Sequence, residues 1–367
     1  MLKAVAVIFF TLFSTSSFAN QSLVIDGKHL EFEIKGEGDT WVLFDAGALT
    51  GMAGWDSLWH DLPDEITAIR FSRLGEGNSE MCESNRSSKD LVDEVQQVLK
   101  RLDVDMPFVY IGHSLGGATA RNYAATYPEN VLGMLLVDPE NPKDVEMVID
   151  IDPVNGPAEI ERIKQKDYTL INGHCFLDAV WSKKEAKDFD DIGDIPVTLI
   201  ASTQQVEEPK YIFHTDEARK RWGELQHAWV STFPQGRYIA TTKGSHYVQK
   251  DEPELVLKEL ALLLERIEKH SSEPTIAGLW SHAEKPAVIK FDMTNKSATI
   301  YKHDTADSTG LNLIKHIQKD PMQRNRWTGS MFDGYNNQYV DVAIQITGTD
   351  VLTVTTSQEE EVLRLIR

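Results

Sequence analysis

The sequence has few basic residues for its size. Its 367 residues include 37 lysines and arginines against 57 aspartates and glutamates, which gives a formal net charge of -20 at pH 7. Proteins that bind nucleic acid need clustered basic side chains to neutralise phosphates, and the sequence has no such cluster. We therefore predict no nucleic-acid partner.

Cysteine is also scarce, because Cys82 and Cys175 are the two in the chain. Neither has the spacing of a metal ligand, so we predict no metal site. In an oxidising compartment we expect the two to form one disulfide, which would join the loop after an early strand to the lid described below. The glycine-rich loop at 72–79 lacks both G-x-G-x-x-G and the lysine of a Walker loop, which argues against phosphate binding.

Long apolar runs are lacking, and the N-terminal one is short. Lys3 precedes the apolar run Ala4–Phe13, and Ser17-Phe18-Ala19 places small residues where a signal peptidase reads them. Since the run is too short to span a bilayer, we predict a signal peptide over residues 1–19 and a periplasmic or secreted protein. An uncleaved membrane anchor is the alternative. We predict no integral membrane segment after signal cleavage.

The strongest functional signal begins at Phe108. The run Phe108–Ile111 is typical of a buried strand, Gly112-His113-Ser114-Leu115-Gly116 fits the pattern G-x-S-x-G, and the small residues of 117–125 favour a helix. A serine on such a sharp turn needs glycine two positions before and after it, because larger side chains would collide. We interpret Ser114 as a nucleophile; the alternative is an ordinary helix N-cap.

Short apolar runs alternate with helical patterns over residues 20–270, which predicts an α/β domain with a mostly parallel sheet and helices on both faces. Functional residues in such sheets gather at the carboxyl ends of the strands. Residues 139–195 interrupt the alternation and are predicted to form a lid over that edge. The predicted strands are Ser22–Ile25, Leu30–Ile34, Trp41–Phe44, Ile66–Phe71, Phe108–Ile111, Val131–Asp138, Pro196–Ala201 and Arg237–Thr241.

The composition changes near residue 272, and residues 275–367 form short alternating runs separated by turns such as Asp333-Gly334. This pattern predicts a small antiparallel β domain, a sandwich or a barrel. The predicted strands are Ala287–Phe291, Ala298–Tyr301, Asn312–Ile317, Tyr339–Ile346 and Val351–Thr355.

Residues from about 22 to 270 resemble the α/β-hydrolase superfamily. Gly112–Gly117 is one common form of its nucleophile motif, and Gly244-Ser245-His246 resembles its histidine loop. Residues 72–79 resemble its D-R-x-G-x-G-x-S loop, with Ser72 where aspartate is usual. The chain order of nucleophile, acid and histidine also agrees. The resemblance implies the α/β-hydrolase fold with an inserted lid and does not cover the C-terminal domain.

The chemistry of this family needs a base and an acid beside the serine. Serine is a weak nucleophile at neutral pH, and His246 is the expected general base. His113 directly follows a strand and is interpreted as a packed residue of the turn. The family usually carries its acid after the strand at 196–201, where this chain has no aspartate. Some members take the acid from the end of the preceding strand.

Asp138 stands at that preceding strand end and is our first choice for the acid, with Glu207 and Glu208 as alternatives. The resemblance also implies an oxyanion hole made of two backbone N–H groups. We predict those of Ala48 and Leu115, although alanine precedes Gly47 where the family usually has histidine. Loss of one such donor typically costs about 100- to 1000-fold in rate.

Together these features predict a serine hydrolase of the carboxylesterase type that acts on a small-molecule ester, with no metal or cofactor. An amidase or an acyltransferase would use the same residues. The alternative from another class is a catalytically inactive binding protein on a hydrolase scaffold, favoured by the missing aspartate and the altered oxyanion loop. The sequence does not indicate an oligomeric state.

Overall fold

The computed structural model describes residues 21–169, 175–182, 192, 194–272, 274–305, 308–320, 323, 325–348 and 350–367. The predicted signal peptide lies outside them. The chain divides into two compact units, residues 1–192 with 197–260 and residues 193–196 with 261–367. No helix of the described residues combines the length and apolarity that crossing a membrane requires.

The first unit is built on an eight-stranded sheet in the order β1-β2-β4-β3-β5-β6-β7-β8. The pairs β1–β2 and β2–β4 are antiparallel, and all later pairs are parallel. All six residues of β5 are buried in the middle of the sheet. The strands are β1 (Gln21–Ile25), β2 (Lys28–Lys35), β3 (Thr40–Asp45), β4 (Ile66–Phe71), β5 (Phe108–His113), β6 (Val131–Val137), β7 (Val197–Ser202) and β8 (Gly236–Thr241).

The helices of this unit follow the predicted alternation. α2 begins with a capping box, because Ser87 accepts a hydrogen bond from the N–H of Asp90 and the Asp90 carboxylate accepts one from Ser87. The apolar stripe of α2 faces the core. The helices are α1 (Asp56–Trp59), α2 (Ser88–Arg101), α3 (Leu115–Thr126), α4 (Asp144–Ile151), α5 (Gly156–Tyr168), α6 (Leu177–Ser182), α7 (Asp216–Val230), α8 (Val248–Asp251) and α9 (Pro253–Ser272), which continues into the second unit.

The described residues of the predicted lid contain three helices, α4, α5 and α6, between β6 and β7. Cys175, just before α6, forms a disulfide with Cys82 in the loop that follows β4, with the two Cα atoms 5.6 Å apart. The disulfide packs in a buried apolar cluster with Phe176, Leu177 and Leu115, the residue after the predicted nucleophile. The covalent link thus holds the lid beside the turn that carries Ser114.

We expect this disulfide to stabilise the protein strongly, because it closes a loop with a sequence separation of 93 residues. Replacing both Cys82 and Cys175 with serine should lower the free energy of unfolding by about 3–5 kcal/mol. Chemical denaturation of both proteins measures the difference, and thiol titration of the denatured, unreduced wild type should find no free thiol. Two free thiols would contradict the prediction.

The second unit contains a closed antiparallel barrel of eight strands, so the predicted β domain is a barrel rather than a sandwich. Its interior is filled by large side chains such as Trp280, Phe291 and Trp327. The strands are β9 (Gly278–His282), β10 (Ala287–Asp292), β11 (Ser297–His303), β12 (Asn312–Lys319), β13 (Arg326–Asp333), β14 (Gln338–Gly348), β15 (Val351–Thr356) and β16 (Glu361–Ile366).

Three of these strands, β9, β13 and β16, were not predicted from the sequence. Each has only one or two buried residues, namely Trp280, Trp327 and the pair Leu363 and Leu365. β9 has no β-branched residue and β13 has one, Thr328, and both contain a glycine, so their residue types favour a strand only weakly. The pairing of β9 with β16 closes the barrel, so closure depends on two of the strands with the weakest pattern.

Candidate active site

Ser114 lies on a sharp turn between β5 and α3, with φ 51° and ψ -115°. A Cβ atom on Gly112 would lie 2.3 Å from the carbonyl oxygen of Gly116, and one on Gly116 would lie 2.2 Å from that of Asp45. Both distances are far below van der Waals contact, so the predicted need for glycine on either side of the serine is confirmed. The residue occupies the N-cap position of α3 but makes no side-chain capping hydrogen bond, which disfavours the N-cap alternative.

The backbone of this turn is held from several sides. The N–H of Ser114 donates to the carbonyl of Val137 at 3.2 Å, and its carbonyl accepts from the N–H of Gly117 at 3.0 Å and of Glu140 at 3.0 Å. Val137 and Glu140 flank the predicted acid in the chain. The serine and the acid are therefore fixed to the same neighbouring strand end.

Asp138 and His246 are brought together as predicted for an acid and a base. Asp138 follows β6 and is fully buried, and its Oδ2 lies 2.7 Å from Nδ1 of His246. The carboxylate accepts hydrogen bonds, so Nδ1 carries the proton, which leaves Nε2 free to act as a base in the neutral ring. The His246 side chain is 44% exposed, so the ring is open to a substrate.

The other oxygen of Asp138 is also saturated with donors. Oδ1 accepts from the backbone N–H of Ser202 at 2.9 Å and from the indole N–H of Trp222 at 2.7 Å. Burial, the largest effect, raises the pKa of Asp138, but the hydrogen bond and charge of His246, with Arg219 and Trp222, together hold it below its ordinary value. The carboxylate is therefore ionised at neutral pH.

One buried face of α7 supports the acid, a role that the sequence analysis missed. Arg219 donates to the carbonyl of Ser202, Trp222 donates to Asp138, and Gln226 donates to the carbonyl of Pro139 at 2.6 Å. The three residues lie three and four positions apart, the spacing that places side chains on one face of a helix. The sequence signal that could have revealed this role is the spacing of these three hydrogen-bond donors in the helix that follows β7.

The alternative acids lie elsewhere. Glu207 and Glu208 are both exposed in the loop after β7, whereas Asp138 contacts His246 directly. Ser202 stands at the end of β7, close to where the family usually has its acid. Its N–H binds the Asp138 carboxylate, and its hydroxyl donates to the carbonyl of Gly244 in the histidine loop at 2.7 Å. This serine therefore links Asp138 to the histidine loop.

The predicted oxyanion loop, residues 46–49, follows β3 and reaches the nucleophile. A Cβ atom on Gly47 would lie 3.2 Å from Cβ of Ser114, so the two backbones are in close contact. Leu115 is the first residue of α3 and follows Ser114 directly. Ala48 is half-buried and packs against the apolar cluster that contains Leu115. The two residues predicted to supply N–H groups thus lie on the loops that meet at Ser114.

Two side chains of the glycine-rich loop 72–79 brace the oxyanion loop. Arg73 donates to the carbonyl of Ala46 at 2.7 Å, and the Glu76 carboxylate accepts from the N–H of Leu49 at 2.8 Å. Arg73 is buried and ion-pairs with Asp45 and Glu76. Burial raises the pKa of Glu76 to about 7, although Arg73 opposes this shift. The loop therefore has a structural role next to the site, which the sequence analysis did not foresee.

The described residues contain no group of three or more His, Cys, Asp or Glu side chains that could hold a metal ion. The chemistry available at this site is that of a serine, a histidine and a buried carboxylate beside backbone N–H groups. Such a set can transfer an acyl group through a covalent intermediate.

Known proteins resemble part of this chain. Residues 40–163 match the family model for the alpha/beta hydrolase fold. The uncharacterized protein YqjL of Bacillus subtilis is 24% identical over 243 residues, which cover 66% of this chain and 90% of that protein. A 2-(acetamidomethylene)succinate hydrolase of Mesorhizobium japonicum is 26% identical over 125 residues, which cover 34% of this chain and 44% of that enzyme.

Among solved structures, a bromoperoxidase from Bacillus anthracis superposes with a TM-score of 0.50 at 15% identity, over 67% of this chain and all of that one. At this identity the likeness shows the fold alone. The strand order, the turn that carries Ser114 and the family match agree with one another. The first unit of this chain therefore has the α/β-hydrolase fold.

Proposed function

We propose that the protein is a serine hydrolase that cleaves a carboxylic ester through an acyl-enzyme on Ser114. The observation that carries the proposal is the 2.7 Å contact between Asp138 and His246 at the strand end that also binds the backbone of Ser114. The α/β-hydrolase fold and a relative named as a hydrolase support a hydrolase in general terms.

In the proposed reaction, Nε2 of His246 takes the proton of the Ser114 hydroxyl while the serine oxygen attacks the ester carbonyl carbon. The N–H groups of Ala48 and Leu115 stabilise the oxyanion of the tetrahedral intermediate. The intermediate collapses, and the alcohol leaves with the proton from His246. A water molecule, deprotonated by the same histidine, then attacks the acyl-enzyme and releases the carboxylic acid.

A cavity lined by residues of the predicted lid and of the segment 211–214 suggests an apolar substrate group. A cavity of about 360 Å³ has apolar walls formed by Val148, Ile160, Trp181 and Phe213, together with charged residues of the lid. The ring of Phe213 packs 5.3 Å from that of Trp222, the indole that donates to the acid. We propose that this cavity receives the acyl or the alcohol group, and we expect esters with short to medium apolar groups to be the best substrates.

We also propose that the mature protein acts in the periplasm or outside the cell. The signal-like N-terminal residues support this location, and so does the disulfide, a bond that persists mainly in oxidising compartments. N-terminal sequencing of the exported protein should begin at Asn20. Recovery of the protein from the cytoplasm with residue 1 intact would contradict the proposal.

The direct test is hydrolysis of p-nitrophenyl esters of increasing acyl length, beside p-nitroanilides with the same acyl groups. We expect nitrophenolate release from the esters, with a preferred chain length, and much slower release from the anilides. Equal or faster anilide cleavage would make the protein an amidase. If the folded protein hydrolyses none of these compounds and does not react with a fluorophosphonate, the result would favour the alternative of a catalytically inactive binding protein.

A further inference from the structure

His113 is a buried histidine that the reaction above does not use. It ends β5, directly before Ser114, and is 1% exposed. Its Nε2 lies 2.8 Å from the main-chain carbonyl oxygen of His246. A carbonyl oxygen only accepts, so Nε2 carries the proton, and Nδ1 of the neutral ring is unprotonated. The residue beside the nucleophile thus donates to the backbone of the base.

The His113 ring also contacts the other parts of the site. Its centroid lies 4.7 Å from the His246 ring and 5.5 Å from the ring of Tyr247. On the other side, a Cβ atom on Gly47 would lie 2.6 Å from His113 Nδ1, so the oxyanion loop packs directly on the imidazole. The His113 side chain therefore contacts both the histidine loop and the oxyanion loop. His113 is also the residue directly before Ser114 in the sequence.

The donor role is compatible with neutral pH. Burial, followed by the charge of His246, lowers the pKa of His113 to about 3; the hydrogen bond to the His246 carbonyl and the charge of Asp138 act in the opposite direction, and Lys250 also lowers the pKa. The His113 ring is therefore neutral at neutral pH. Its single proton stays on Nε2 in the hydrogen bond to His246.

Within the part of the chain that the structure describes, the other hydrogen bonds of the histidine loop do not lead to the turn of Ser114. Gly244 is held by Ser202 and Glu252, and the N–H of Ser245 donates to Asp251. These contacts fix the loop to β7 and to the segment that follows it. Among the described residues, the hydrogen bond from His113 is the one that joins the histidine loop to the turn of Ser114.

We propose that His113 is a positioning residue that sets the placement of His246 relative to Ser114 by holding the His246 carbonyl. The inference rests on the proposed function of that site. A displacement of about 1 Å in a reacting group can cost about 100-fold in rate. A half-exposed base such as His246 depends on its backbone anchor for that precision.

The test compares two replacements at this position. In His113→Gln the amide N–H can still reach the His246 carbonyl, whereas His113→Phe keeps a ring of similar size without a donor. We expect kcat of His113→Phe to fall by about 10- to 100-fold with KM within about twofold of wild type. His113→Gln should recover most of the lost kcat.

A matched packing control is Trp55→Phe. Trp55 is buried with its ring 6.5 Å from that of His113, and its indole N–H has no protein partner among the described residues. This variant reduces the packing around His113 without removing a hydrogen bond. It should therefore lower the thermal midpoint and leave kcat close to that of the wild type. If Trp55→Phe and His113→Phe lose kcat equally, or if His113→Phe keeps wild-type kcat, the positioning role is wrong.

A spectroscopic signature separates this inference from the proposed function. The proton between His246 and Asp138 should give a far-downfield proton NMR resonance in the wild type and in His113→Gln, and it should be broadened or lost in His113→Phe. This readout needs no substrate. If the wild type shows no esterase activity but the resonance follows this pattern, the proposed function fails while the positioning role stands. An unchanged resonance in His113→Phe overturns the positioning role.

Discussion

Replacing Ser114 with alanine is expected to lower kcat for the preferred ester by about a millionfold. Removal of the nucleophile lowers kcat by about this factor in a well-characterised serine hydrolase. The hydroxyl is the proposed attacking group, and no other side chain occupies its place on the turn. The fold should tolerate the change, because the Ser114 side chain makes no capping hydrogen bond and alanine is no larger.

Steady-state hydrolysis of the best p-nitrophenyl ester by wild type and Ser114→Ala measures the effect. Ser231→Ala is the control, because this serine is exposed at the end of α7, and it should retain full activity. Equal thermal midpoints would show that the loss is chemical. If Ser114→Ala keeps more than about a hundredth of wild-type kcat, another group must carry the reaction.

Asp138→Asn is expected to lower kcat by about 10,000-fold. Asp138 accepts the Nδ1 proton of His246, which leaves Nε2 as the base and stabilises the imidazolium that forms. The amide has no charge and can donate to Nδ1, which would favour the wrong tautomer. The effect should be large because the pKa of Asp138 lies below its ordinary value, so an ionised group is lost at neutral pH.

The controls are Glu207→Gln and Glu208→Gln, each expected to stay within about threefold of wild type because both side chains lie in an exposed loop. Chemical denaturation should accompany the kinetics, since the Asp138 carboxylate also binds Ser202 and Trp222. A folded Asp138→Asn enzyme with near-normal kcat, or a large loss in either glutamate variant, would assign the acid to the loop after β7.

The turn of Ser114 could be predicted from the sequence because its constraints are local. Ser114 has a positive φ, a glycine lies two positions before it and another two positions after it, a buried strand precedes the turn and small residues follow it. This arrangement requires particular residue types at fixed spacing. The same holds for the alternation of strands and helices over residues 20–270. In each case the residues that determine the local structure are close neighbours in the sequence.

The support for the acid could not be predicted, because it comes from residues far apart in the chain. Asp138 was recognised as one of three possible acids, but its donors lie at Ser202, Trp222 and His246, and only the fold brings them together. The role of Arg73 and Glu76 escaped notice for the same reason, because the backbone groups of Ala46 and Leu49 that they bind lie 27 residues away in the chain. In the second unit, β9 and β16 are the first and last strands of the barrel in the sequence and pair with each other, and neither has a strong pattern of its own.

The most direct test of the account is the mass of the protein after reaction with a fluorophosphonate, followed by peptide mapping. We predict the addition of one phosphonyl group per chain on the peptide that contains Ser114, with the rate of labelling greatly reduced in Asp138→Asn and no labelling in Ser114→Ala. Absence of an adduct in the folded wild type, or an adduct on another residue, would contradict the claim that Ser114 is an activated nucleophile.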